Sequence, residues 1–158
     1  MDIKNKVTIN ADDFGKSASI NQAIALCFEK KLINRTTIMV NMPFFKEAVK
    51  ISQNKCFFDK VGLHINLMEG KPITKDIVKY PQVCTNGIFN GKLQKYIRSH
   101  IFYDSQFKKA LKDEIEAQIN IYIETGFTLL HLDSHFHLHN ELIIYSILQY
   151  FGKFLPIN

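Results

Sequence analysis

Two rhythms of apolar residues alternate along this chain. Residues 7–11 (Val7, Thr8, Ile9, Asn10, Ala11) form a short, β-branched apolar run closed by Asp12 and Asp13, which reads as a first strand. Ser17 or Ser19 then caps a helix whose apolar positions Ile20, Ala23, Ile24, Cys27 and Phe28 fall at helical spacing. Residues 36–40 predict a second strand, and Phe45, Ala48, Val49 and Ile51 mark a second helix. A third strand is expected over 61–67, where alternation puts the His64 imidazole on the face opposite Leu63 and Ile65.

Residues 68–104 lose both periods. Gly70, Pro72, Pro81, Asn86-Gly87 and Asn90-Gly91 punctuate them, predicting a loop insertion with a small hairpin, of the sort that forms lids and binding loops. Ser105 is placed to cap a long helix with the stripe Phe107, Leu111, Ile115, Ile119, Tyr122 and Ile123, stopped by Gly126. A fourth strand over 127–133 and a last helix over 142–150 follow. Strands alternating with helices predict a parallel α/β sheet in a single domain covering residues 1–158, either open or a partial, deformed (β/α) barrel, because a closed one needs ~250 residues.

Composition changes this picture little. The 158 residues are 46% hydrophobic and 12% aromatic, enough for a core and against disorder. The net charge of +5 comes from scattered lysines, with no run longer than pairs such as Lys30-Lys31, so no nucleic-acid partner is expected. Cys27, Cys56 and Cys84 are far apart and make no Cys-x-x-Cys pair, which argues against a disulfide framework or thiolate zinc site and suits a reducing cytoplasm. No apolar stretch predicts a signal peptide or membrane span.

The candidate chemistry sits where strands end, the rim on which parallel α/β folds keep their sites. Paired aspartates suit metal-dependent hydrolysis, one holding a cation and the other taking a proton from water. An equally ordinary reading has one capping the turn and the other solvated. His64 by itself is more often a core or rim histidine with one satisfied nitrogen than a ligand. The segment HLDSHFHLH at 131–139 holds four of the six histidines. Extended, it would put His135, His137 and His139 on one face; helical, it would still align His135 with His139. With Asp133 these imidazoles could bind a borderline divalent ion, Asp133 either as ligand or orienting a histidine from behind. A solvent-facing histidine-rich loop is the alternative. No Gly-x-Ser-x-Gly elbow, Walker loop or dinucleotide fingerprint occurs.

Three segments, NADDFG at 10–15, GLHINLMEGKP at 62–72 and HLDSHFHLH at 131–139, resemble in order and spacing the YdjC-like carbohydrate deacetylases, which include enzymes that deacetylate chitooligosaccharides. TTIMVN at 36–41 and residues 114–118 match as well, so the resemblance covers the chain from Val7 to about Tyr150. It implies a deformed (β/α) barrel, one divalent metal ion (magnesium or zinc) held by Asp13, His64 and His135, and Asp12 as general base. Asp133, His137 and His139 would line the substrate side or stand behind the ligands. The substrate would be a small N-acetylated oligosaccharide. Family members run on through further strands to a later histidine that protonates the leaving amine. FGKFLPIN at 151–158 does not resemble that continuation, so the chain is expected to supply the N-terminal part of the barrel and to self-associate or pair with a complementing chain across an uncovered edge. The alternative is a non-catalytic metal- or sugar-binding subunit. Metal-dependent phosphoester hydrolysis ranks lower, for want of a second carboxylate-rich site.

Overall fold

A computed structural model describes residues 7–100, 102–129 and 131–153. Four parallel strands form its sheet in the order β1-β2-β3-β6: β1 (Asn10–Phe14), β2 (Arg35–Ile38), β3 (Val61–Ile65) and β6 (Leu132–Ser134). Helices α1 (Ala18–Glu29) and α2 (Phe45–Asn54) follow the first two strands. The sheet is open, with β1 and β6 at its edges. It is therefore the α/β architecture expected, an arc of parallel strands that does not close.

Strand limits differ from the periodic reading for local reasons. Ahead of β1, the Asn34 side chain accepts from the Ile9 amide (2.8 Å) and donates to the Val7 carbonyl (2.7 Å), so ladder pairing begins only at Asn10 opposite Arg35. Beyond β3, Asn66 folds back: its Oδ1 accepts from the amides of Met68 (3.1 Å) and Glu69 (3.2 Å), ending the strand at Ile65 rather than Leu67. The fourth strand is shorter than expected. Residues 127–129 are unpaired, Leu130 lies outside the described residues, and the Tyr122 hydroxyl stands 2.7 Å from the Val61 carbonyl and 3.0 Å from that of Thr128.

Between β3 and β6 lie a two-stranded antiparallel hairpin, β4 (Cys84–Thr85) and β5 (Ile88–Phe89), then α3 (Leu93–Arg98) and α4 (Ser105–Glu124). Asn86 and Gly87 both take positive φ (53° and 75°), as a two-residue hairpin turn requires. Ser17 caps α1, its Oγ accepting from the Ile20 amide at 3.2 Å. At α4 the cap is Asp104, one residue before the serine expected, accepting from the Phe107 amide at 3.3 Å.

Helix α4 buries Phe107, Leu111, Ile115, Ile119 and Tyr122 as its stripe implies, while Ile123 is exposed. It also buries Glu114 and Gln118 completely. Glu114 accepts from the Ile73 amide (3.0 Å), the Thr74 amide (2.8 Å) and the Thr74 hydroxyl (2.9 Å), and Gln118 exchanges two hydrogen bonds with the Asn66 backbone (3.0 and 2.8 Å). These polar residues have partners where a buried polar group needs them, and they pin the loop after β3 to the helix. Helix α5 (Leu142–Gly152) closes the described part.

Candidate functional site

Successive residues of a strand point to opposite faces, which would separate Asp12 from Asp13. A bulge in β1 prevents this. Ala11 pairs with Thr36 and Phe14 with Ile38, so three steps on β1 match two on β2. The extra residue is accommodated by Asp13 at φ 68°, a left-handed conformation uncommon outside glycine. Both carboxylates consequently reach His64: Asp13, His64 and His135 form one group of potential ligands, and Asp12, His64 and Asp133 another, each with its ligand atoms within 4.8 Å of one another. Gly15, at φ 94°, makes the turn that follows, where an added Cβ would lie 3.0 Å from the Met39 carbonyl oxygen.

His64 stands at the centre, 2% exposed. It is in register with Asp133 on the neighbouring strand, and its Nδ1 lies 2.5 Å from Asp133 Oδ1. Nδ1–H donates to that carboxylate, which leaves Nε2 facing Asp13 Oδ1 at 3.3 Å, where a competing cation would displace its proton. Thr37, fully buried, holds Asp133 from the other side by donating to its Oδ2 at 3.1 Å. The same hydroxyl is 3.2 Å from His64 Nδ1 and 3.4 Å from Asp12 Oδ1. Its single proton goes to the nearer carboxylate. Asn10 Nδ2 donates to Asp12 at 2.6 Å and to Thr37 at 3.2 Å.

The histidine-rich segment is neither extended nor regularly helical. Residues His135–Asn140 form a 3-10 turn broken by left-handed Phe136 (φ 55°) and His137 (φ 53°). That kink separates His135 from His137 and His139, whose rings stay 5.9 Å apart. His135 is buried and faces the aspartates, with Nδ1 3.0 Å from Asp13 Oδ1. His137 is exposed, and His139 turns back to Ser134, whose Oγ is 2.8 Å from its Nδ1. The shared face expected for His135, His137 and His139 does not form.

Residues without a role in the sequence argument complete the rim. Glu69, on the loop fixed by Asn66, brings Oε1 to 2.7 Å from His135 Nε2, and Lys16 Nζ is 2.5 Å from the same oxygen and 3.5 Å from Asp13 Oδ2. Glu69 lies inside a matched motif and Lys16 directly follows one, but only the fold shows what they touch. Thr37 lies in the matched TTIMVN segment, but there its β-branched side chain reads only as a strand former. Beside the loop opens a cleft of about 720 Å³ whose lining includes Asn41, Met42, Lys46, Gly70 and Lys71.

The electrostatics are those of a site built for positive charge. Contacts with His135 and then His64 hold the Asp13 carboxyl well below the usual range, outweighing its partial burial. Burial alone would lower the His64 pKa, but the contacts with Asp13 and Asp133 prevail and raise it to about 9. His131, packed under Gly62, is shifted down by burial.

Four buried side-chain atoms among the described residues have no hydrogen-bond partner: Asp13 Oδ1, His64 Nε2, Glu69 Oε1 and His135 Nε2. They lie close together, yet none of their contacts has the direction of a hydrogen bond. Buried polar atoms left in that state are costly. For Asp13 Oδ1 and His64 Nε2 a cation answers the cost, since ligand atoms ~2.1 Å from a tetrahedral ion stand ~3.4 Å apart, near the 3.3 and 3.0 Å seen from Asp13 Oδ1 to the two imidazoles. Asp13, His64 and His135 therefore fit a divalent ion.

The model of the YdjC-like protein family matches residues 6–155. A carbohydrate deacetylase of Vibrio parahaemolyticus is 32% identical over 149 residues, 94% of this chain and 55% of that protein. One from Brevibacillus brevis is 31% identical over 142 residues, covering 90% and 53%. The chain spans about half the length of these curated relatives. In fold it is similar to the crystal structure of an Enterococcus faecalis protein provisionally named for cellobiose-phosphate cleavage, with a TM-score of 0.77 and 23% identity over 95% of this chain and 57% of the other.

Proposed function

The chain belongs to the YdjC-like protein family, and from that premise we propose that it is the N-terminal part of a metal-dependent carbohydrate deacetylase acting on small N-acetylated amino-sugar oligosaccharides. The reading is carried by Asp13, His64 and His135, whose ligand atoms lie within 4.8 Å of one another, with Asp13 Oδ1 and His64 Nε2 buried and unpartnered. Asp13, His64 and His135 would hold one divalent ion. Two imidazoles beside one carboxylate favour zinc or a similar borderline ion over magnesium, which prefers an all-oxygen shell.

When bound, the ion would polarise the acetamide carbonyl and make water a nucleophile near neutral pH. Asp12 is the base in this reading. It is exposed, sits beside His64 and Asp133, and is oriented by Asn10, so it can take the proton of the attacking water. Cleavage of the C–N bond then yields acetate and a free amine, which needs that proton back. Asp133 fixes the tautomer and orientation of His64. His137, exposed on the rim, is offered to the sugar, while His139, bound to Ser134, shapes the turn. The cleft beside the loop after β3 is a place for the remainder of the oligosaccharide.

Metal analysis of the purified chain and acetate release from N-acetylated chitooligosaccharides test the reading. About one zinc-type ion per chain is expected, lost on Asp13→Ala or His64→Ala. A folded chain that takes up no divalent ion would overturn it. Because the chain covers about half of its relatives, a second reading has it binding metal and sugar but requiring a partner chain for turnover, either another copy or a complementing fragment. Metal uptake without acetate release, and release once such a fragment is added, would favour that reading. The three cysteines are free, and no described helix is long and apolar enough to cross a membrane. We place the protein in the cytoplasm.

A further inference from the structure

Each imidazole facing Asp13 has a second nitrogen, and each second nitrogen has a carboxylate beside it. For His64 the partner is Asp133, 2.5 Å from Nδ1. For His135 it is Glu69, 2.7 Å from Nε2, while Nδ1 faces Asp13 Oδ1 at 3.0 Å. We propose that Glu69 is a positioning residue of the metal centre, fixing the His135 ring through its outer nitrogen so that Nδ1 is presented to the ion. This rests on the reading of Asp13, His64 and His135 as a metal site.

Three observations separate Glu69 from a ligand and from a chance surface pair. It is absent from the group whose ligand atoms all lie within 4.8 Å of one another, so one ion does not reach it together with the other three. Its Oε1 and His135 Nε2 are both buried and unpartnered although 2.7 Å apart, so a small rotation of the ring is all that a hydrogen bond between them needs. Such alignments commonly tighten only when a site is filled. Its backbone is also held before any ion binds. The Glu69 carbonyl accepts from Asn66 Nδ2 (2.9 Å) and Asn41 Nδ2 (3.2 Å), and its amide donates to Asn66 Oδ1 (3.2 Å). Lys16, 2.5 Å from Oε1, balances the carboxylate's charge.

A ligating histidine ordinarily donates its other N–H to a carboxylate or carbonyl, which fixes the tautomer and raises the basicity of the ligating nitrogen. Lost outer partners of this kind typically weaken metal binding ~10- to 100-fold. The experiment is a Co²⁺ titration of the full chain, read by visible absorption, which reports ligand geometry, and by calorimetry. Glu69→Ala is expected to lower Co²⁺ affinity by that factor and to change the absorption band. Glu69→Gln keeps an acceptor oxygen for Nε2–H and is expected to recover most of the loss and the original band. Lys16→Met removes the ion pairs with Glu69 and with Asp13 and spares His135; since it takes a competing positive charge away from the Asp13 carboxylate, it should not weaken binding. Glu69→Ala binding like the unsubstituted chain overturns the inference. So does Glu69→Gln as weak as alanine, or Lys16→Met as weak as Glu69→Ala, which would assign the effect to the Lys16 pair. If the unsubstituted chain binds no Co²⁺, the metal-site reading itself falls.

Discussion

Replacing Glu114 with alanine tests how the loop that carries Glu69 is held. The Glu114 side chain is fully buried in α4 and receives four donors: the Ile73 amide at 3.0 Å, the Thr74 amide at 2.8 Å, the Thr74 hydroxyl at 2.9 Å and Gln118 Nε2 at 3.0 Å. A buried donor stripped of its acceptor costs ~1–3 kcal/mol, and bonds to a charged acceptor sit high in that range. Two effects pull the other way. Ile73 and Thr74 are not buried, so water can replace part of what is lost, and alanine relieves the chain of burying a carboxylate without a cation. Counting the two amides and Gln118 near the lower limit gives a net destabilisation of about 3 kcal/mol. Urea unfolding followed by circular dichroism measures it as a lower midpoint at an unchanged m-value. Limited proteolysis should locate the loosening between residues 66 and 80. An unchanged midpoint with an unchanged cleavage pattern would show that the loop is held by something other than the helix.

In the chelated chain, the stability contributed by His64 should be fully present below pH 6.5 and lost as pH rises through about 9, because its protonated form is the one stabilised by Asp13 and Asp133. The shift corresponds to roughly 3 kcal/mol, and the depressed Asp13 carboxyl is the other half of the same interaction rather than an addition to it. Thermal unfolding against pH in chelator, with an NMR titration of the His64 ring, checks this; titration near the ordinary value would refute it. Thr37→Val keeps the shape of a buried residue but removes the donor to Asp133 Oδ2. It should cost ~1–2 kcal/mol in unfolding free energy and weaken metal binding through His64, whereas a calorimetric isotherm equal to that of the unsubstituted chain would free Thr37 of any part in orienting the site.

The elements were legible in the chain to the extent that a face was exposed. Helix α4, with one side in water and one in the core, declares itself in its stripe from Phe107 to Tyr122, and Ser17 declares the start of α1. Strand β3 does not alternate in burial at all, every residue from Val61 to Ile65 being buried, as in parallel sheets covered on both faces. Its end was set instead by the Asn66 side chain, which a hydrophobic pattern does not weigh. Of the rim, Asp13, His64 and His135 were legible through the motifs NADDFG, GLHINLMEGKP and HLDSHFHLH taken together, since each residue alone has an ordinary structural use. Glu69, Lys16 and Thr37 were not, because each owes its position to a loop geometry or a neighbouring strand. The common face assigned to His135, His137 and His139 assumed a regular backbone, and the left-handed pair at Phe136 and His137 removed that assumption.

Strain shows why those departures belong together. Among the described residues, the non-glycine positions with positive φ are Asp13, Lys31, Cys56, Asn86, Phe136 and His137. Local structure accounts for three. Lys31 and Cys56 each stand two residues beyond a helix end, where chains commonly turn left-handed, and Asn86 is in a hairpin turn that requires it. Asp13, Phe136 and His137 have no such local warrant, and Asp13 is bent inside a strand, where an unbulged ladder would be more stable. What these bends achieve is joint. One puts Asp12 and Asp13 on the same side of the sheet, and the other turns the chain away immediately after His135, leaving that ring against Asp13. Residues in costly conformations persist where the surroundings over-determine them, and here both strained segments converge on the same unpartnered atoms. Both bends serve to bring Asp13, His64 and His135 together, the arrangement on which the metal-site proposal rests.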